Sequence, residues 1–296
     1  MNNGTPVFTG AATALITPLN ENGIDFDTLG RLIDHQIDQG IDALVIAGTT
    51  GEGSTLSDEE HRALLAYSVE RIGGRVPAIA GTGSNDTAYA ISLTKYACEL
   101  GYDAMLVVTP YYNKATQNGL VAMYYAIADA SDKPLILYNV PSRTGINIEP
   151  ATYLKLSEHP MIQGIKEANS TISKIAETFA LVGDRLDIYS GNDDQIVPIM
   201  ALGGKGVISV LSNVMPRETS RLCHLWLDGH VREAAALQLE YMDLIGSLFC
   251  EVNPIPVKAA MARLGWGEDY LRLPLTPMED RNRERLYMSM ERMGLI

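Results

Sequence analysis

Lys166 and Tyr138 are the two side chains of this sequence best placed to do chemistry. Lys166 sits near the end of a short apolar run, Met161 to Ala168 (MIQGIKEA). A cation at the end of a buried strand must either reach water or be held neutral, and a neutral amine is a nucleophile toward carbonyls. An amine with a solution pKa of about 10.4 is mostly protonated at neutral pH, so attack requires desolvation or a neighbouring cation. Tyr138 lies in the preceding run, PLILYN, where a phenol can shuttle protons during carbinolamine formation and dehydration. Taken singly, a strand lysine is more often a snorkelling surface residue and a tyrosine a half-buried aromatic with a satisfied hydroxyl. Placed at one level of adjacent strands, the two together favour chemistry.

Other candidates surround this pair. Gly48 to Gly53 (GTTGEG) offers the hydroxyls of Thr49 and Thr50 and exposed amides ahead of a helix, which is equipment for holding a carboxylate, although a Gly-rich capping turn has the same composition. GTGSND at Gly81 lacks the third glycine of a dinucleotide fingerprint. LGGKG at Leu202 to Gly206 looks like a phosphate cradle, but it precedes a strand and so falls at the face opposite the chemistry; a non-phosphorylated substrate is favoured. The five histidines, His35, His61, His159, His224 and His230, lie in helical or connecting segments, which argues against a His-ligated metal. Glu52, Glu167, Asp193 and Asp194 are conceivable cation ligands, yet period-two alternation turns Glu167 away from Lys166.

Composition narrows the function classes. The 296 residues are 46% hydrophobic and 20% charged, ordinary for a globular protein, with a formal net charge of -13 and a pI near 4.8. That balance disfavours nucleic acid or an anionic membrane as partner, so an anionic substrate must be captured by individual arginines and amides. Cys98, Cys223 and Cys250 are odd in number and far apart, and they read as buried thiols of a reducing compartment. No apolar run approaches the roughly 18 residues of a membrane span, so a cytoplasmic enzyme is expected.

Eight strand-like runs must position these residues: Ala12 to Thr17, Ala43 to Gly48, Pro77 to Gly81, Ala104 to Thr109, Pro134 to Asn139, Ile162 to Glu167, Leu186 to Gly191 and Gly206 to Leu211. Helical patterns separate them. Ser57 and Glu60 form a capping-box pattern, and Leu29, Leu32, Ile33 and Ile37 make an apolar stripe ending at Gly40. Near-continuous apolar strands alternating with helices imply parallel pairing with both faces covered. The pattern predicts a (β/α)8 TIM barrel, with an open doubly wound sheet as the rival. Beyond Pro216 only helices are expected: Arg217 to Asp228, Val231 to Glu251, Val257 to Leu264 and Pro277 to Met293. The division is a catalytic barrel over residues 1–229 and a C-terminal helical region over 230–296.

From about Thr13 to its end the chain resembles the pyruvate-dependent Schiff-base aldolases and lyases, on AGTTGEGSTLSDEEH at Ala47, VTPYYNK at Val108, YNVPSRTG at Tyr138 and GIKEA at Gly164. Within them YNVPSRTG points to the branch that condenses pyruvate with L-aspartate 4-semialdehyde on the way to diaminopimelate and lysine. The resemblance implies an imine between Lys166 and pyruvate, whose carboxylate is held by Thr49, Thr50 and nearby amides, with backbone at Gly191 and Ile208 completing the pocket. It implies a proton relay of Tyr138, Thr50 and Tyr112, the last reaching across a tight dimer, and it gives Arg143 the semialdehyde carboxylate, which suits a bidentate guanidinium. No metal or organic cofactor is implied, and the expected assembly is a homotetramer built as a dimer of dimers. His61, Asn85 and Tyr111 match a lysine-inhibition site, but Asp58 and Tyr89 stand where inhibited members carry histidine and glutamate, so weakened inhibition is expected. A related aldolase cleaving a keto-deoxy sugar acid is the alternative, and Arg143 counts against it.

Overall fold

The first four long helices of the chain each begin where a polar side chain takes up a free amide. The computed structural model describes residues 5–296. In it Asp25 Oδ1 accepts from Thr28 N at 3.0 Å to start α1 (Phe26–Asp38). Ser57 and Glu60 form the reciprocal capping box that starts α2 (Asp58–Ile72). Asp86 and Thr116 cap α3 (Thr87–Leu100) and α4 (Gln117–Ala128) in the same manner. The remaining helices of the alternating part are α5 (Pro150–Leu156), α6 (Ile172–Val182), α7 (Ile196–Ala201) and α8 (Pro216–Leu227).

The strands between them are β1 (Gly10–Ala14), β2 (Ala43–Ile46), β3 (Ala78–Gly81), β4 (Ala104–Val108), β5 (Leu135–Asn139), β6 (Ile162–Glu167), β7 (Asp187–Ser190) and β8 (Gly206–Ser209). All pair in parallel, each with its sequence neighbours, and β1 closes the ring by pairing with both β8 and β2. This is the (β/α)8 barrel expected from the sequence, and the open-sheet alternative is excluded by the β1–β8 ladder. Alternate residues of every strand fill the interior, among them Ala12, Val45, Ile79, Leu106, Ile136, Tyr138, Tyr189 and Ile208. The intervening set, including Leu44, Met105, Leu137 and Ile188, packs under the helices. Phe8 stacks on Tyr189 with ring centroids 4.3 Å apart and accepts its hydroxyl proton at the main-chain oxygen, plugging the N-terminal mouth.

Three details depart from the sequence reading. The first strand ends at Ala14 rather than Thr17, because Ile16 N bonds to the side chain of Asn213 instead of to a neighbouring strand. A small antiparallel hairpin, Leu19–Asn20 with Gly23–Ile24, precedes α1. Of the three cysteines, all free thiols, only Cys223 is fully buried, whereas Cys98 and Cys250 are partly exposed.

After α8 come α9 (Val231–Leu248), α10 (Ile255–Arg263) and α11 (Asp280–Arg292). The connections around α10 return to the C-terminal mouth of the barrel. There Lys258, 1% exposed, donates from Nζ to Glu52 Oε1 at 2.5 Å. Arg272 adds a main-chain bond to Glu52 at 3.3 Å and a two-pronged contact to Glu60. No helix among the described residues is long and apolar enough to cross a membrane.

Candidate active site

Strand register brings Tyr138 and Lys166 together. The two are direct partners in the β5–β6 ladder, both face the barrel interior, and Lys166 Nζ lies 4.3 Å from the centroid of the Tyr138 ring. Lys166 is only 5% exposed. On its other flank Lys166 pairs in register with Tyr189 of β7. A cation so placed gains from the ring face, and a neutral amine so placed is a desolvated nucleophile.

One residue further along, Glu167 faces out of the barrel, as period-two alternation requires. Its carboxylate accepts from Asn139 Nδ2 at 3.0 Å, Tyr153 Oη at 3.0 Å and Asn169 N at 2.8 Å. Burial nevertheless pushes its pKa up from 4.5 to about 7, because these bonds only partly replace lost hydration. Between those two values the unfolded chain has released the proton while the folded chain retains it, so stability falls as pH rises through that window. Glu167→Gln, whose amide can serve as donor to a reversed Tyr153 hydroxyl, is expected to abolish this slope. Relative to wild type it gains roughly 2–3 kcal/mol between pH 4 and pH 8. Denaturant midpoints of both proteins at pH 4, 6 and 8 measure it, and parallel curves would refute the assignment.

The loop after β2 carries Thr49 and Thr50 in a strained frame. Ala47 and Glu52 both adopt left-handed backbone, at φ of 58° and 54°. Ala47 thereby aims its carbonyl between Gly53 and Gly81, where a Cβ on either glycine would lie 2.4 Å from that oxygen. The loop is gripped elsewhere too: Thr17 Oγ1 donates to Gly51 O at 2.7 Å, and Glu52 is locked by Lys258. His61 Nε2 donates to Gly81 O at 3.0 Å, and burial lowers its pKa, which keeps the ring neutral. Thr50 is buried, and its Oγ1 accepts from Asn253 Nδ2 at 3.0 Å.

Arg143 stands on a short helix, Pro141–Thr144, directly after β5, with Nη2 donating to Asn253 O at 3.0 Å. Thr49, Tyr138 and Arg143 line one cavity of about 330 Å³, which continues past Ser54 and Leu56 to His61, Tyr89 and Tyr111. Ile208 is fully buried beside the interior aromatics, and Gly191 follows β7 with its amide on Glu167 O at 2.7 Å. Asp193, buried in the next turn, accepts from Val210 N and Leu211 N at 3.0 and 2.9 Å. Burial raises its pKa while the charge of Lys166 opposes that rise.

The structure therefore gathers Lys166, Tyr138, Thr49, Thr50, Arg143, Gly191 and Ile208 at the C-terminal mouth. It does not bring Tyr112 there: that side chain is 93% exposed, on backbone at φ 70°. His61 and Tyr111 line the far end of the cavity. Asn85 lies nearby on the loop after β3, its carbonyl accepting from Asn113 Nδ2 at 2.9 Å. Sequence reasoning passed over Asn253 and Lys258, for which the NPIPVK run was the available signal.

A closed parallel barrel with a desolvated lysine on its sixth strand, a phenol in register with it and an arginine at its rim defines a lyase-type enzyme built for imine chemistry. The chain belongs to the dihydrodipicolinate synthetase family, whose model matches residues 7–293. It is 52% identical over 291 residues to the 4-hydroxy-tetrahydrodipicolinate synthase of Acetivibrio thermocellus, covering 98% of this chain and 99% of that one. The chloride-inhibited dihydrodipicolinate synthase of Acinetobacter baumannii, solved in complex with pyruvate, superposes with a TM-score of 0.95 at 42% identity, over 97% of this chain and 99% of that one. The Cyanidioschyzon merolae enzyme, solved with lysine bound, gives 0.94 at 39% identity, over 99% of this chain and 100% of that one.

Proposed function

We propose that this enzyme condenses pyruvate with L-aspartate 4-semialdehyde through a Schiff base on Lys166, the 4-hydroxy-tetrahydrodipicolinate synthase reaction of lysine and diaminopimelate biosynthesis. The observation that carries the reading is the register pair: a buried amine 4.3 Å from the ring centre of a phenol on the adjacent strand.

Lys166 Nζ attacks the ketone carbon of pyruvate, and the carbinolamine loses water to give the imine, Tyr138 moving the protons. Thr49, Thr50 and the backbone at Gly191 and Ile208 hold the pyruvate carboxylate and orient it. Loss of a methyl proton gives the enamine, whose carbon attacks the aldehyde of the semialdehyde, while Arg143 binds that substrate's carboxylate with the guanidinium edge not used by Asn253. The substrate's own amine then displaces Lys166 from the imine carbon, which closes the ring and frees the enzyme. Tyr112, fully exposed on a left-handed turn, supplies the last relay hydroxyl to a second copy, in a homotetramer assembled as a dimer of dimers. The barrel is residues 1–229, of which the first four lie outside the described residues, and 230–296 is the appended helical region. Free thiols at all three cysteines fit a reducing, cytoplasmic setting.

Borohydride reduction with pyruvate, followed by peptide mass mapping, tests the reading. Reduced pyruvate on Lys166 and turnover of aspartate semialdehyde are expected; cleavage of keto-deoxy sugar acids in its place would reassign the enzyme.

Regulation by lysine is expected to be weak. Tyr89 donates to Asp58, and Asp58 is also held by Arg62 Nε at 2.9 Å, so this carboxylate is already neutralised and Tyr89 brings no charge to an incoming ammonium. His61, Asn85 and Tyr111 remain as partners for the ligand. An inhibition curve with a midpoint in the micromolar range would contradict this.

A further inference from the structure

Residue Asn253 belongs to the connection between α9 and α10, far from the barrel strands in sequence, and yet it touches two side chains of the site. Its side chain is 6% exposed. Its Nδ2 donates to Thr50 Oγ1 at 3.0 Å and its main-chain oxygen accepts from Arg143 Nη2 at 3.0 Å. Its own Oδ1 is buried without a partner among the described residues. A buried amide that leaves its acceptor unpaired is poorly explained by packing, since an unmade bond there costs stability.

The two contacts have distinct consequences. A threonine hydroxyl that accepts from an amide keeps its own proton for another direction, so Asn253 makes Thr50 a donor toward the reacting groups. A guanidinium tethered at one nitrogen retains its other N–H groups in a fixed plane for a carboxylate. The segment bearing Asn253 is itself fixed: Lys258 N donates to Pro254 O at 2.9 Å, and the Lys258 side chain holds Glu52 at 2.5 Å in the loop that carries Thr50. Helix α10 is thus tied to that loop twice, once through an ion pair and once through Asn253.

We propose that Asn253 is a positioning residue of the condensation, its side-chain amide setting the proton direction of Thr50 and its carbonyl setting the plane of Arg143. This rests on the function proposed above. The helical region after the barrel then completes the active site instead of merely flanking it.

Asn253→Asp tests the proposal, because it preserves shape and main chain while replacing a donor by an acceptor. The ionised carboxylate draws the Thr50 proton onto itself. At pH 8 kcat is expected to fall by about 100-fold, the scale of a misdirected proton-transfer group. KM for the semialdehyde should stay within about threefold, since the carbonyl that holds Arg143 is retained. The ratio of variant to wild-type kcat should climb as pH falls, because a protonated carboxyl again donates to Thr50. Asn253→Ala, which removes the donor without adding an acceptor, should show a smaller loss and a ratio independent of pH. Thermal melts of both variants verify folding. Wild-type kcat in Asn253→Asp, or a deficit in it that is equal to that of Asn253→Ala at every pH, overturns the proposal. With wild-type trapping of pyruvate on Lys166 intact, that result leaves the function standing; failure of wild-type trapping overturns the function and this proposal with it.

Discussion

Lys166→Met is expected to form no reducible adduct with pyruvate and to lose about four orders of magnitude in kcat, the scale reached when a covalent nucleophile is removed. The substitution is close in length and uncharged. It replaces a buried polar amine by an apolar side chain, so the fold should survive with its melting temperature unchanged or raised. Lys166→Arg separates the two properties of the side chain: it keeps a positive charge near Asp193 and over the Tyr138 ring but cannot make an imine, and it should be equally inactive. The competing amine is Lys258, likewise buried and with its pKa lowered first by burial. It is, however, held against Glu52 at 2.5 Å, so its amine is already engaged. Mass mapping after borohydride treatment of the Lys166→Met enzyme distinguishes the two, and a pyruvyl label on Lys258 would move the nucleophile there.

The barrel was legible because its signals are local. Eight apolar runs, a capping box at Ser57 and Glu60 and alternation along β6 are each contained within a few residues, and the last correctly turned Glu167 away from Lys166. Tyr138 and Lys166 could be matched because consecutive parallel strands pair and active-site residues gather at their C-terminal ends. The register at Tyr138, with its one-residue irregularity after Leu135, was not readable from either strand alone.

What escaped the sequence was non-local. Asn253 meets Thr50 across 203 residues and Lys258 meets Glu52 across 206, and no periodicity encodes such contacts. Glu60 shows the same limit within a single residue. Its role as a helix cap was readable from spacing, whereas its two-pronged contact with Arg272, which holds its pKa down at about 2, was not. Burial of the thiols was overestimated for a related reason. A helical stripe tells which face is apolar but not how completely the next helix covers it, and Cys98 lies where cover is partial, while Cys250 falls just past the end of α9.

The Glu52–Lys258 pair should dominate the stability of the site loop. Both side chains are 1% exposed, so removing one partner strands the other in a medium that penalises charge, a loss of about 3–5 kcal/mol. Neutralisation sets the ceiling. Protonating a stranded carboxylate at pH 7 costs about 4 kcal/mol, and deprotonating a stranded ammonium about 5 kcal/mol, from their reference pKa values. The two single variants should therefore answer pH in opposite directions. In Lys258→Met the pKa of Glu52 rises in the folded state, so the deficit appears above the ordinary carboxylate pKa and grows with pH. In Glu52→Gln the pKa of Lys258 falls further, so its deficit is present below the ordinary lysine pKa and grows as pH falls. The double variant Glu52→Gln/Lys258→Met has no stranded charge and should recover most of the stability lost in either single variant. Urea midpoints of the four proteins at pH 5, 7 and 9 complete the cycle. Additive losses in the double variant, or single-variant deficits of the same pH slope, would show that the loop is held by packing and not by this ion pair.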